Sequence, residues 1–157
     1  MLQHIISQTH KALIKSSKTI AVAESCTGGL LSNLLTELSG SSKYFSLGII
    51  TYSNKSKEKI LGIPSSILSS KGAVSEEVAK LMAQKVRRLA KTDFGISITG
   101  IAGPSGGTLR KPVGTVFIAV AAKNKTLCKE FHFSGTRSSI RNKSTLEALK
   151  LIKILLK

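Results

Sequence analysis

The segment Thr19–Glu24, TIAVAE, runs without a break into Ser25-Cys26-Thr27-Gly28-Gly29 and then into Leu30–Leu38. A short apolar run of this kind reads as a strand buried on both faces, and such a strand needs a covering layer on each side. The hydroxyls, the thiol and the two glycines then open a helix. A strand running straight into a helix is the unit from which α/β architectures are built. The flanking segments agree. Residues 2–16 carry Ile5, Ile6, Ala12 and Leu13 at helical spacing. Phe45–Tyr52 is a second strand, and Ser53 or Asn54 can cap a helix over Lys55–Leu61 that Gly62-Ile63-Pro64 ends. Ser75 caps a further helix with Glu76 and Glu77 in its first turn and Arg87, Arg88 and Lys91 in its last. Phe94–Thr99 is a strand. Val113–Ala122 and Leu127–Phe133 form a strand pair about Asn124, and a final helix covers Thr136 to about Leu156. Alternating strands and helices followed by a late hairpin predict a three-layer α/β/α fold with a mixed sheet.

With 157 residues and 16.7 kDa the chain suits a single domain, 1–157. A hydrophobic fraction of 41% excludes a disordered tail protein. Cys26 and Cys128 have no CxxC partner and no nearby histidine pair, so neither a metal site nor a disulfide framework is expected. His4, His10 and His132 are scattered and read as structural or solvated. The longest apolar run, Val116–Ala122, is far short of a membrane span, and residues 1–15 lack the apolar core of a signal peptide. A cytoplasmic protein without membrane association is expected, with a homodimer as the favoured assembly.

The formal charge is +16. Such a field draws anions: nucleic acid, phosphorylated metabolites or acidic membrane. Lysines outnumber arginines nineteen to five and form no dense block. Base readout and phosphate forks favour arginine, and single-strand platforms favour aromatics. A lysine-rich solvated surface therefore explains the charge better than a specific nucleic-acid partner.

Three loops carry chemistry. In Glu24–Gly29, N–H groups at the helix start could bind phosphate or hold an oxyanion on a carbonyl attacked by Ser25; a simple capped turn is the bland alternative. In Tyr52–Lys57, a strand end and a capped helix bring Tyr52 and a lysine to the same sheet edge. A serine nucleophile needs a base, and a lysine serves if it is neutral. Residue physics leaves open which of Lys55, Lys57 and Lys59 turns inward. The loop Thr99–Gly107, TGIAGPSGG, lets backbone approach a ligand closely, or is simply a flexible connection.

These segments together resemble the C-terminal domain of the CinA, competence/damage-inducible family. The matches are AESCTGG (Ala23–Gly29), GSSKYF (Gly40–Phe45), TYSNKSK (Thr51–Lys57), GAVSEEVA (Gly72–Ala79), TGIAGPSGG (Thr99–Gly107), KPVGTVFIA (Lys111–Ala119) and FSGTR (Phe133–Arg137). Standalone members of that family look like nicotinamide-nucleotide amidohydrolases, which convert nicotinamide mononucleotide and water to nicotinate mononucleotide and ammonia. The resemblance implies Ser25 as nucleophile, Lys57 as base and Tyr52 as an assisting residue. Thr99 and Arg137 match substrate-holding positions, with Gly100 and Gly103 in the same loop. N–H groups around Thr27, Gly28 and Gly29 are the expected oxyanion donors. No metal or organic cofactor is implied, and the partner is a small nucleotide. Helical spacing agrees with Lys57, since Lys55 and Lys59 lie four apart on one face and Lys57 points roughly the other way. Two rival classes stand beside this one. They are a non-catalytic module binding anions or nucleic acid, and a thiol enzyme using Cys26, which lacks a histidine partner.

Overall fold

The structure, a computed structural model, describes residues 2–156. In chain order it contains α1 (Leu2–Ser16), β1 (Ile20–Glu24), α2 (Leu30–Leu35), a short 3-10 turn (Ser41–Lys43), β2 (Phe45–Ile50) and α3 (Asn54–Leu61). There follow α4 (Ser65–Lys71), α5 (Glu76–Ala90), β3 (Phe94–Gly100), β4 (Thr115–Ala121), β5 (Thr126–His132) and α6 (Arg137–Leu155). The strands form one sheet in the order β2-β1-β3-β4-β5. β1 is parallel to both β2 and β3, whereas β3–β4 and β4–β5 are antiparallel, so the sheet is mixed as expected.

Burial follows position in the sheet. All five residues of β1 and all seven of β4 are buried, while the edge strand β2 alternates between half-buried and exposed. β1 sends Ile20 and Val22 into one core, shared with α1, α2 and α6, and Ala21 and Ala23 into the other, shared with α3, α4 and α5. The two faces differ in side-chain size. The first is built from Ile96, Ile98, Val116, Ile118 and Val120. The second presents Ala21, Ala23, Gly95, Ser97, Ala119 and Ala121, and α5 answers with Ala79 and Ala83. Small residues on both partners let α5 approach the sheet closely, and Ser97 Oγ donates to the Ala79 carbonyl at 2.6 Å.

Local chemistry sets the helix starts and stops. Ser75 caps α5 by accepting from Val78 N–H, and Glu76 and Glu77 complement its positive end. Thr136 caps α6 in the same way through Ser139 N–H. The sequence reading missed α4. Its SSILSSK run looks like a loop, yet Pro64 starts it, Ser69 and Ser70 return their hydroxyls to the Ser65 and Ser66 carbonyls, and Leu68 is buried. Tertiary burial of one leucine outweighs weak propensity over so short a helix. Helix α2 ends at Leu35 rather than Leu38, because Thr36 turns its hydroxyl back onto the Ser32 and Asn33 carbonyls. β2 ends at Ile50, before Thr51 and Tyr52. Among the described residues no helix is long and apolar enough to cross a membrane.

Gly95 is where the close packing of α5 is tightest. A Cβ there would lie 2.0 Å from the Ala83 carbonyl oxygen and 2.7 Å from Arg87 Cβ. Gly95→Ala is expected to push α5 off the sheet and to lower stability by about 1–3 kcal/mol, the usual range for an overpacked core. Urea unfolding measures this, and an unchanged midpoint would contradict the packing account.

Candidate active site

The carboxyl ends of β1 and β3 open onto a cleft of about 310 Å³. Crevices at this end of parallel strands are the usual ligand sites of α/β sheets. Ser25 enters from the end of β1, with its N–H tied to the Ile98 carbonyl of β3 at 3.0 Å. Thr99, Gly100 and Gly103 come from the end of β3 and the loop after it, Tyr52 follows β2, Lys57 lies on α3, and Arg137 opens α6. These seven of the ten residues singled out from the sequence line one cleft; Thr27, Gly28 and Gly29 do not.

Lys57 is 1% exposed, whereas Lys55 and Lys59 are exposed. Its inward turn has a local origin. Ser53 and Ser56 form a capping box that starts α3, and side chains on a helix lean toward its N-terminus. The amine is thereby led back to the carbonyls just before the helix. Lys57 Nζ bonds the Thr51 carbonyl at 2.7 Å, the Tyr52 carbonyl at 3.3 Å and Ser25 Oγ at 3.1 Å. A neutral amine has two N–H donors and one lone pair. In that form, with the two carbonyls taking the donors, the lone pair is left to accept from the Ser25 hydroxyl; as an ammonium the same Nζ donates to Ser25 Oγ. Burial favours that neutral form, bringing Lys57 from 10.5 down to about 8.

The turn carrying Ser25 is held by a residue that the sequence reading did not single out. Glu24 is fully buried, and five donors converge on its carboxylate. They are Thr27 Oγ1 at 2.5 Å, Gly29 N at 3.1 Å, Leu31 N at 3.1 Å, Ser32 N at 2.8 Å and Ser32 Oγ at 2.8 Å. Helix α2 has no side-chain cap at Gly29, so Glu24 satisfies its first N–H groups from the end of the preceding strand. A lone acid closing an otherwise apolar strand was the available signal.

These bonds change the expected donor set. Gly28 N–H donates to the Ser25 carbonyl at 3.1 Å and Gly29 N–H to Glu24, so neither faces the cleft free. The N–H groups of Cys26 and Thr27 have no acceptor among the described residues. Ala73, Val74, Ser105 and Gly106 also line the cleft and were not singled out.

The rim is a bridge. Arg137 donates to the Gly103 carbonyl at 2.9 Å and to the Tyr52 hydroxyl at 3.1 Å, joining α6, the glycine loop and the segment between β2 and α3. Tyr52 is 60% exposed there, and its hydroxyl bonds Arg137 rather than Ser25 or Lys57. Thr99 Oγ1 donates to the Ala73 carbonyl at 2.8 Å. Cys26 lines the cleft with its thiol pushed up to about 11, chiefly by burial, so it holds its proton where a thiol nucleophile would need to lose it.

The buried amine predicts a pH dependence of stability. The folded chain releases the Lys57 proton near 8 and the unfolded chain near 10.5, so the unfolded state binds more protons between those values and stability from this group rises with pH across that window. Lys57→Met removes this gain. The stability difference between wild type and Lys57→Met is expected to shift in favour of wild type between pH 7 and pH 10. The buried thiols Cys26 and Cys128 act in the opposite direction; Cys128 does so equally in both proteins, whereas Cys26 also feels the Lys57 charge. Urea midpoints of the pair at the two pH values check the sign, and a difference that does not move would mean the amine is not desolvated.

A sequence profile of the CinA C-terminal domain matches residues 2–156. A CinA-like protein of Syntrophus aciditrophicus is 53% identical over 144 residues, covering 90% of this chain and 34% of the relative. The chain thus spans about a third of the length of such relatives. Among solved structures, the competence/damage inducible protein CihA of Agrobacterium tumefaciens superposes with a TM-score of 0.94 at 35% identity, covering 99% of this chain and 94% of that one. A CinA superfamily protein of Klebsiella pneumoniae gives 0.95 at 28% identity, covering 99% and 98%. With its five-stranded mixed sheet, its cleft at the ends of β1 and β3 and a match along its described length, this chain belongs to the CinA family through that family's C-terminal domain.

Proposed function

We infer that the protein is an amidohydrolase acting on the carboxamide of nicotinamide mononucleotide through a Ser25–Lys57 dyad. The observation that carries this reading is the desolvated Lys57 amine, 3.1 Å from Ser25 Oγ with its other two directions taken by carbonyls. A structural cation of this size gains little from being fully buried without an acidic partner; a base needs that environment.

The neutral amine takes the Ser25 hydroxyl proton as Oγ attacks the carboxamide carbon. The N–H of Cys26, the residue of this turn next to Ser25 that also lines the cleft, receives the developing oxyanion. The ammonium of Lys57 returns its proton to the departing nitrogen, and ammonia leaves a nicotinoyl ester on Ser25. A water then gives its proton to Lys57 and attacks the ester. Ser25 recovers its proton from Lys57, and the acid product dissociates. The phosphate end of the nucleotide falls to Arg137. Two of its five N–H groups hold Gly103 and Tyr52, which leaves donors for an anion at the rim. Tyr52, held by Arg137, closes the mouth over the ring, and Thr99 shapes the cleft floor.

Ammonia release from nicotinamide mononucleotide by the purified protein is the deciding experiment. Ser25→Ala and Lys57→Ala are each expected to abolish turnover to a similar extent, since members of one catalytic unit are not additive. Lys55→Ala and Lys59→Ala should remain active. Turnover of wild type should rise through about pH 8 as Lys57 loses its proton. A Ser25→Ala protein with near-normal turnover, or a flat pH profile when chemistry limits, would remove the dyad.

Arg137→Ala is expected to raise KM at least tenfold with a smaller effect on kcat, because its proposed contacts are made in ground state and transition state alike. Steady-state kinetics on the mononucleotide measure the split, and an unchanged KM would place the phosphate elsewhere.

A further inference from the structure

Glu24 creates a problem for the reading above. Its buried carboxylate lies on one side of the turn whose other side must stabilise negative charge. A fixed anion that close opposes a developing oxyanion. The turn also carries a cation. Arg141, one helical turn beyond Arg137 on α6, donates from Nη2 to the Thr27 carbonyl at 2.8 Å.

We propose that Arg141 is a positioning residue that strengthens the oxyanion donor at Cys26 through two linked peptide groups. The inference rests on Ser25 acting as the nucleophile. The path is continuous. Arg141 bonds the carbonyl of the Thr27–Gly28 peptide. The N–H of that same peptide, on Gly28, donates to the Ser25 carbonyl at 3.1 Å. The Ser25–Cys26 peptide ends in the Cys26 N–H, which has no acceptor among the described residues and belongs to a residue lining the cleft. The N–H of the residue after a nucleophile on a strand-to-helix turn is a standard oxyanion donor. Peptides joined head to tail polarise one another by about 10–30% per bond. A guanidinium at the head of the chain adds a full charge to that alignment.

Three further observations fit. Arg141 Nε is buried with no acceptor, so the guanidinium is held at the turn with a donor left unmatched, which a tether chosen for hydrogen bonding alone would avoid. Gly28 sits at φ +60 and a Cβ on it would stand 3.4 Å from Arg141 Nη2, so the bare turn gives the guanidinium room. The Cys26 thiol feels Glu24 and Arg141 with opposite signs, which places it in the field of both charges.

Arg141→Gln and Arg141→Lys separate charge from tether. Gln keeps a neutral donor to the Thr27 carbonyl, and Lys keeps the charge without the fork. Two readouts are used. One is kcat and KM for ammonia release from nicotinamide mononucleotide, and the other is the rate at which a fluorophosphonate probe labels Ser25. The probe forms its own oxyanion and needs no nucleotide contact. Arg141→Gln is expected to lower kcat and the labelling rate by about tenfold or more, with KM within about twofold; removing a whole oxyanion donor costs about a hundredfold or more. Arg141→Lys should recover most of both rates. Mononucleotide affinity measured on the Ser25→Ala background should be unchanged by either substitution. If Gln performs as well as Lys, Arg141 is only a tether and the proposal falls. It falls equally if KM rises while kcat and labelling hold, since Arg141 would then touch substrate. A wild type that is neither labelled at Ser25 nor active overturns the nucleophile assignment itself. Labelling without ammonia release overturns only the choice of substrate, and the labelling rates then decide on Arg141.

Discussion

The site depends on the burial of one carboxylate. Removing Glu24 from water costs several kcal/mol unless its lone pairs are satisfied, and the chain satisfies them with five donors from the turn and the first turn of α2. That requirement dictates the path of the backbone from Glu24 to Ser32. Once Gly29, Leu31 and Ser32 turn their N–H groups inward, Ser25 is left at the carboxyl end of β1, lining the cleft, and Cys26 and Thr27 keep N–H groups without internal partners. A neutral cap at this place would hold the helix but not draw as many donors to one point.

Around this anchor the fold places two cations with opposite duties. Lys57 is buried, and that burial lowers the point at which it gives up its charge from 10.5 to about 8. Arg137 sits at the rim, where its charge persists and it ties three chain segments together. The difference follows from chemistry, because a guanidinium keeps its proton in any protein environment while an ammonium loses it readily when desolvated. Most of the remaining positive charge is spread over lysines at the surface. Their ion pairs, such as Lys80 with Glu76 and Lys71 with Glu77, are exposed and contribute about 0–1 kcal/mol each. The excess acts at long range, as a field that favours the approach of anionic ligands.

Much of this was legible before any coordinates. The apolar run of β1, the Ser-Cys-Thr-Gly-Gly turn and the hydroxyl caps of α3, α5 and α6 are local signals, and local physics reads them. Helical spacing already separated Lys57 from Lys55 and Lys59. The serine-rich α4 was not legible, because its propensity is weak and one buried leucine decides it. Nor was Glu24, since a single acid at a strand end says nothing about which N–H groups will curl back to meet it.

The sequence by itself determined the alternation of strands and helices, the turn that carries Ser25 and the capped helix that carries Lys55, Lys57 and Lys59, because periodicity and capping act within a few residues. Only the tertiary structure decided that Lys57 loses its water, that Tyr52 meets Arg137 from 85 positions away, and that the free N–H groups are those of Cys26 and Thr27 rather than the glycines. Desolvation is a property of everything packed around a group, and hydrogen-bond partners are assigned only when all the donors of a turn compete for the same acceptors at once.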